Sequence, residues 1–175
     1  MSDASGAVYR AGGLLLDDLC AAPLHGRVLF DYEQAEHITR ADLLQLPCDV
    51  LVLASGANEL QEQSCRGVAA AVVVEAEWNS LTEAASERLS GSEVLVVPWF
   101  TATAGALMAS WLESRNDQIL ARPEKLLGTC YQTLSDVMES VLRTSVVNDC
   151  TCWDAVYGAA VEKAARYLRN CGIKN

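Results

Sequence analysis

Residues 49–54 form the apolar run Asp49-Val50-Leu51-Val52-Leu53-Ala54. Two more short apolar runs follow, at residues 69–74 and 94–97. Each run is rich in valine, leucine or alanine and is bounded by polar residues. Strands that are buried on both faces of a parallel sheet have this pattern. Helical segments separate the three runs, which predicts βαβ units with right-handed crossovers. We therefore expect an α/β fold with three core strands flanked by helices.

Helix signals lie before and between these runs. Thr39 is the expected N-cap of a short helix before the first run. Residues 59–66 predict a helix after that run. The segment Ser80-Leu81-Thr82-Glu83 has the spacing of a capping box, which predicts a helix through Leu89 after the second run.

The last third of the chain changes to helical periodicity. Apolar residues recur at spacings of three and four over residues 126–142, which places them on one face of a helix. A second amphipathic helix is expected after Thr151. We expect a single domain over residues 1–175, in which residues 1–117 form the α/β part and residues 118–175 form a two-helix tail.

Composition and charge exclude several classes of protein. The chain has 175 residues, of which 51% are hydrophobic, so it is long enough for one core and too apolar to be disordered. Its formal net charge of −10 disfavours direct binding to nucleic acid and favours a partner with a basic surface. No apolar run reaches the ~18 residues that a membrane span needs. No signal peptide is visible, so we expect a soluble intracellular protein, with a mitochondrial complex as one candidate setting.

The usual ligands for a metal or a dinucleotide are missing from the sequence. The seven cysteines are scattered, and the one close pair, Cys150 and Cys152, has no histidine near it. We therefore expect reduced thiols and no metal site. None of the eleven glycines forms the Gly-x-Gly-x-x-Gly turn on which the pyrophosphate of a dinucleotide rests. No bound cofactor is expected.

A family resemblance is carried by segments spread along the whole chain. They are Ser2-Asp3-Ala4-Ser5-Gly6-Ala7-Val8-Tyr9, Leu46-Pro47-Cys48-Asp49-Val50-Leu51-Val52, Val73-Val74-Glu75-Ala76, Val96-Val97-Pro98, Ala104-Gly105, Ser110-Trp111-Leu112-Glu113 and Trp153-Asp154-Ala155-Val156-Tyr157. In this order they resemble the NAD domain of the glutamate, leucine, phenylalanine and valine dehydrogenases, from the turn after its second strand onward. The resemblance implies a partial Rossmann-like parallel sheet. It also implies that the glycine turn, the substrate domain and the catalytic lysine and aspartate would lie before Met1.

The sequence departs from the family pattern where the family contacts its cofactor. The family's Gly-Ala-Asn-Gly-Pro-Thr-Thr turn is here Ala76-Glu77-Trp78-Asn79-Ser80-Leu81-Thr82, so that Trp78 replaces an asparagine. Thr103 replaces a second family asparagine. Asp3 matches the acidic residue that would hold the adenosine ribose, and Ser110 matches a serine near the substrate side chain. We expect structural roles for Asp3 and Ser110, no catalytic residue, and no cofactor or substrate site.

The first apolar run is expected to be an unpaired sheet edge. In the strand order that the resemblance implies, the strand before the glycine turn would lie beside it. Without that strand, Val50, Leu51, Val52 and Leu53 form an uncharged edge, and each buried backbone group left unpaired costs about 1–3 kcal/mol. We expect another polypeptide to cover this edge, by strand addition or as a separately encoded first half of the sheet. Cover by the first segment of the chain itself is a further alternative.

Three functions remain open at this point. The chain is expected to be a non-catalytic, dehydrogenase-derived structural or accessory subunit of a larger assembly, with other protein subunits as partners. Alternatively, it is one chain of a split amino-acid dehydrogenase whose partner supplies the glycine-rich turn and the catalytic lysine, although Trp78 and Thr103 argue against this. The third alternative is a free-standing nucleotide sensor, for which the sequence offers no phosphate cradle.

Overall fold

The computed structural model describes residues 1–21, 29–114 and 123–171. The strands are β1 (Ala7–Tyr9), β2 (Glu36–Ile38), β3 (Val50–Leu53), β4 (Val72–Glu75) and β5 (Leu95–Val97). The helices are α1 (Leu16–Ala21), α2 (Arg40–Leu44), α3 (Glu62–Cys65), α4 (Glu83–Ser90), α5 (Trp99–Ala102), α6 (Ala104–Ser114), α7 (Pro123–Asn148) and α8 (Cys152–Asn170), and a 3₁₀ helix spans Leu29–Asp31. The predicted boundary between residues 117 and 118 lies outside the described residues.

Strands β3, β4 and β5 form a parallel sheet in that order, which confirms the α/β fold with three core strands. Val50 pairs with Val72, and Val73 pairs with Val96. Helix α3 connects β3 to β4, and helix α4 connects β4 to β5. Strand β4 is therefore central, and β3 lies at one edge of this sheet.

Strands β1 and β2 form a separate antiparallel pair that the sequence analysis does not predict, because each strand has only three residues. The ammonium group of Met1 donates to the carbonyl oxygen of Val8 at 3.0 Å. The guanidinium of Arg40, in α2, donates to the carbonyl oxygen of Asp3 at 3.0 Å. These two bonds attach the first residues of the chain to β1 and α2.

Two of the predicted helix starts are confirmed. Thr39 and Asp42 form a capping box at the start of α2. Thr151 and Asp154 form a second capping box at the start of α8. Each box satisfies backbone donors that the first turn of a helix leaves free. The C-terminal part is accordingly two long helices, as the sequence predicts.

The capping box predicted at residues 80–83 is wrong. The N-cap of α4 is Thr82, whose hydroxyl oxygen accepts a hydrogen bond from the Ala85 amide at 3.2 Å. The Ser80 hydroxyl instead donates to the Glu77 carbonyl oxygen at 2.8 Å. Ser80 therefore stabilises the turn after β4, and the helix begins two residues later than predicted.

The main core lies between the sheet and the helices α3 and α4. Its buried members are Leu53, Leu60, Cys65, Ala70, Val73, Leu81, Ala85 and Leu89. A smaller cluster of Val141, Cys152 and Ala155 joins the end of α7 to the start of α8 and packs against Leu95. Burial of each large aliphatic side chain contributes about 1.5–3 kcal/mol. None of the helices in the described ranges is long and apolar enough to cross a membrane.

Candidate functional site

A buried carboxylate stands at the carboxyl end of the central strand. Glu75 is only 2% exposed. Its Oε1 accepts a hydrogen bond from the Leu81 amide at 3.3 Å, and its Oε2 accepts one from the indole Nε1–H of Trp153 at 3.1 Å. The backbone amide of Trp99 is a third donor to this carboxylate. One side chain thus joins the turn after β4, the start of α5 and the first turn of α8.

Two physical effects oppose each other at Glu75. Burial, the larger effect, raises the pKa of this carboxyl group because it disfavours the charged form. The hydrogen bonds from Trp153, Leu81 and Trp99 act in the opposite direction. The Trp153 ring also packs against Phe100, with ring centroids 4.5 Å apart at an interplanar angle of 86°. Edge-to-face packing of this kind fixes the start of α8 against α5.

The turn that follows Glu75 presents a large exposed ring. Asn79 has a φ of 59°, a left-handed conformation that asparagine tolerates better than most residues. Its carbonyl oxygen accepts a hydrogen bond from the Asn58 amide at 2.8 Å, which ties this turn to the loop after β3. Trp78, the residue before it, is 60% exposed. The turn therefore presents an indole ring to its surroundings at the position where the family pattern has an asparagine.

Thr103 and Ser110 lie in the helical segment after β5. The Thr103 hydroxyl donates to the Trp99 carbonyl oxygen at 2.8 Å, so it is used inside the C-terminal turn of α5. Ser110 is exposed on α6. Within the described ranges, no hydrogen bond joins Asp3, Thr103 and Ser110 to one another. The structure therefore does not assemble these residues into one polar site.

Asp3 holds together the first turn of the chain. Its Oδ1 accepts a hydrogen bond from the Ser5 amide at 2.8 Å, and its Oδ2 accepts one from the Leu29 amide at 2.8 Å. The Leu29 amide, followed by the Ser5 hydroxyl, lowers the pKa of Asp3 to about 2. Both carboxylate oxygens are thus engaged by groups of the chain itself.

The backbone of β3 has a free side. The Leu53 carbonyl oxygen accepts a hydrogen bond from the Ala76 amide, at 2.8 Å, just beyond the end of β4. Successive residues of a parallel strand direct their backbone groups to opposite sides. The backbone groups of Val50 and Val52 therefore point away from β4, and no strand of the described part of the chain lies on that side.

The side chains of β3 also alternate, between the buried core and an exposed surface. Leu53 is fully buried in the main core and Leu51 packs against it. Val50 and Val52 are 51% and 55% exposed. Beside them is a groove of about 280 Å³, whose walls include Val52, Leu53, Ser2, Arg40, Leu43 and Glu59. The exposed part of this edge therefore consists of Val50, Val52 and the groove next to them.

The link between Glu75 and Trp153 was not predicted from the sequence. The available signal was an acidic residue directly after three valines, at the end of an apolar run. Its partner lies 78 residues away, where no pattern along the sequence connects the two. Within the described residues, no group of three or more histidine, cysteine, aspartate or glutamate side chains is arranged to hold a metal ion.

Comparison with known proteins places this geometry in a family. The sequence model of the glutamate/leucine/phenylalanine/valine dehydrogenase family matches residues 1–172. The chain is 27% identical over 175 residues to the catabolic NAD-specific glutamate dehydrogenase RocG of Bacillus subtilis, which covers 97% of this chain and 40% of that protein. The NAD-specific glutamate dehydrogenase of Staphylococcus aureus strain COL is 34% identical over 114 residues, covering 65% of this chain and 27% of that protein.

Solved structures agree with the sequence comparisons. The hetero-hexameric glutamate dehydrogenase of Thermus thermophilus, in its leucine-bound form, superposes with a TM-score of 0.76 and 25% identity, covering 97% of this chain and 40% of that one. The chain thus spans less than half the length of the relatives that it matches. The matching residues and the shared fold identify this protein as a member of the glutamate/leucine/phenylalanine/valine dehydrogenase family.

Proposed function

We propose that this chain is a non-catalytic accessory subunit of a hetero-oligomeric protein assembly. The observation that carries the proposal is Trp78, an exposed ring in the turn with which the family contacts its cofactor. An indole has neither the small size nor the amide group of the asparagine that it replaces. Because a relative is described as NAD-specific, an NAD site would be expected at this turn. The turn with Trp78 does not fit such a site.

Two further residues support the same proposal. Asp3 matches the family's ribose-binding acid, but both of its oxygens already accept hydrogen bonds from Ser5 and Leu29. Thr103 replaces a family asparagine, and its hydroxyl donates a hydrogen bond to the Trp99 carbonyl oxygen in the preceding helical turn. Each of these side chains therefore already has a structural role within the chain that does not involve a nucleotide.

The edge at β3 is the proposed surface for a partner subunit. Val50 and Val52 present apolar side chains together with outward-facing backbone groups, a combination that suits addition of a strand. Charge indicates the kind of partner. Residues 1–114 contain 16 of the 23 acidic residues but only five of the 13 basic ones, so this part carries a net charge of −11. A partner segment with basic residues would be attracted to it.

The Thermus thermophilus relative offers a precedent for unlike subunits. Its description as a hetero-hexameric glutamate dehydrogenase shows that this fold takes part in an assembly of different chains. The alternative function, one chain of a split amino-acid dehydrogenase, draws on the same precedent. Ser110, the residue matching the family's serine near the substrate, is exposed on α6 and would be accessible to such a partner.

The experiment has two parts. The first recovers the tagged chain from its source and identifies the proteins that accompany it. The Val52→Lys variant should lose these proteins, because it places a charge in the middle of the edge. The matched control is Val146→Lys, which makes the same change at an exposed position of α7. Recovery of several unlike subunits that depends on Val52 but not on Val146 supports the proposal.

The second part titrates NAD(H) against the purified chain and against the recovered assembly. No saturable binding is expected in the micromolar range. Saturable binding by the isolated chain would overturn the non-catalytic role. Recovery of a single partner that carries a glycine-rich turn and restores amino-acid oxidation would establish the split enzyme instead.

A further inference from the structure

Helix α8 presents an apolar stripe that the described part of the chain leaves exposed. Its first turn is buried through Cys152 and Ala155. From Tyr157 to Asn170 every residue except Ala165 is exposed. Tyr157, Val161 and Leu168 are 67%, 51% and 43% exposed. The packed part of this helix thus ends after little more than one turn, while the helix continues for almost four more.

The spacing of the stripe is that of a short coiled coil. Tyr157, Val161, Ala164 and Leu168 follow one another at intervals of four, three and four residues, which keeps them on one face over about 16 Å. The charged residues of this segment lie away from that face. Two of them, Glu162 and Arg166, form an exposed ion pair with each other at 3.4 Å.

We propose that α8 is a self-association surface, on which the α8 helix of a second copy of this chain docks in antiparallel orientation. In that orientation the pattern is complementary to itself: Tyr157 meets Leu168 of the other copy, and Val161 meets Ala164. The two-fold axis lies between the two Val161–Ala164 pairs, and a Tyr157–Leu168 pair lies beyond them on each side. Self-complementarity of this kind is what a two-fold dimer requires.

Small residues flank the stripe and permit close approach. Gly158, Ala160 and Ala165 occupy three of the four positions next to the apolar stripe, where coiled coils usually carry longer charged side chains, and the exposed ring of Tyr167 occupies the fourth. The backbones of two such helices can therefore come close enough for Tyr157 and Leu168 to interdigitate. A partner helix with long flanking side chains would fit this surface less well.

Charge favours a second copy in two ways. The first turn of α8 carries Asp154 and the last turn carries Arg169, so antiparallel pairing brings opposite charges together at both ends, whereas parallel pairing does not. In addition, residues 115–175 carry a net charge of +1, in contrast to −11 for residues 1–114. Two copies of this acidic chain repel each other least when they meet through the helical tail.

The test is the oligomeric state of the full chain by analytical ultracentrifugation over a range of concentrations. The wild-type chain should form dimers. Val161→Glu should weaken dimerisation roughly a hundredfold or more, because it removes an apolar contact from each copy and buries a charge. The matched control, Val147→Glu on the exposed surface of α7, should dimerise as the wild type does. Circular dichroism verifies that each variant is folded.

A second pair of variants tests the orientation. Arg169→Glu should weaken the dimer, because antiparallel pairing brings the last turn of one helix beside the acidic first turn of the other, while Lys163→Glu, in the middle of the helix, should leave it unchanged. All measurements are repeated with Val52→Lys, which separates this surface from the β3 edge. A wild-type chain that stays monomeric at high micromolar concentration overturns the inference. So does a dimer that Val161→Glu and Val147→Glu affect equally.

Discussion

Replacing Glu75 with glutamine should flatten the dependence of stability on pH. Burial raises the pKa of Glu75 above its ordinary value of 4.5, so between 4.5 and the raised value the folded chain binds more protons than the unfolded chain. Stability of the wild type therefore falls as pH rises through that window. Each unit of pKa elevation removes about 1.4 kcal/mol at higher pH. Glutamine has no such proton, so the variant should lack this decrease.

The size of the effect at low pH is set by the hydrogen bonds. Glutamine has nearly the shape of a protonated glutamic acid, and its carbonyl oxygen accepts from one of the donors that Glu75 now serves. Its NH2 group cannot accept from the donor at the other position, so Glu75→Gln should be less stable than the wild type by about 1–3 kcal/mol below pH 4.5. Glu75→Ala leaves the amides of Leu81 and Trp99 and the indole of Trp153 without their acceptor, at about 1–3 kcal/mol for each group left unsatisfied.

The assay is urea denaturation at a series of pH values on both sides of 4.5, followed by tryptophan fluorescence and extrapolated to water. Glu77→Gln is the control, because Glu77 is exposed in the same turn. It should follow the wild type. Parallel curves for Glu75→Gln and the wild type would refute the reasoning. A wild type that gains stability relative to Glu75→Gln as pH rises would show that the three hydrogen bonds outweigh burial.

The other predictions concern the turns and caps. The lowered pKa of Asp3 means that its carboxylate form stabilises the folded chain, and the wild type loses this stability as pH falls from 3.8 towards 2. Asp3→Asn lacks the carboxylate, so it should lack this stability and should not show the loss. Acid titration followed by circular dichroism measures the difference. Thr82→Ala removes the cap of α4 and should cost about 1 kcal/mol, or about 2–4 °C in Tm, in a thermal melt. Asn79→Val should cost about 1–2 kcal/mol by urea denaturation, because valine is strained at a φ of 59°. Trp78→Ala should change unfolding free energy by less than about 0.5 kcal/mol, since the ring is exposed, and an unfolding curve with a larger change would show that the ring packs.

The apolar runs were enough to predict the sheet but not the ends of its strands. The run at residues 49–54 became β3 at Val50–Leu53, within one residue at each end. The run at residues 69–74 became β4 at Val72–Glu75, three residues later at its start. The strand extends to Glu75, which pairs with Leu53. Distant donors satisfy its buried carboxylate, and hydrophobic periodicity carries no information about such donors.

The site was less predictable than the fold for a similar reason. The retained Asp3 and the substituted Trp78 and Thr103 were visible in the sequence. The use of Asp3 inside its own turn depends on the Leu29 amide, 26 residues away. The choice of Thr82 rather than Ser80 as the cap depends on the turn after β4, where the Ser80 hydroxyl has a different acceptor. Competition between local hydrogen bonds decides both cases.

The bond between Glu75 and Trp153 has a consequence for how the protein is made. A ribosome releases β4 long before it releases α8, so the carboxylate of a nascent chain must remain hydrated until 78 further residues have been added. The central strand can pair with β3 in the meantime, but the Glu75 carboxylate cannot bind its Trp153 partner until α8 is available. We therefore expect the nascent domain to mature in a single late step, when its C-terminal helix arrives.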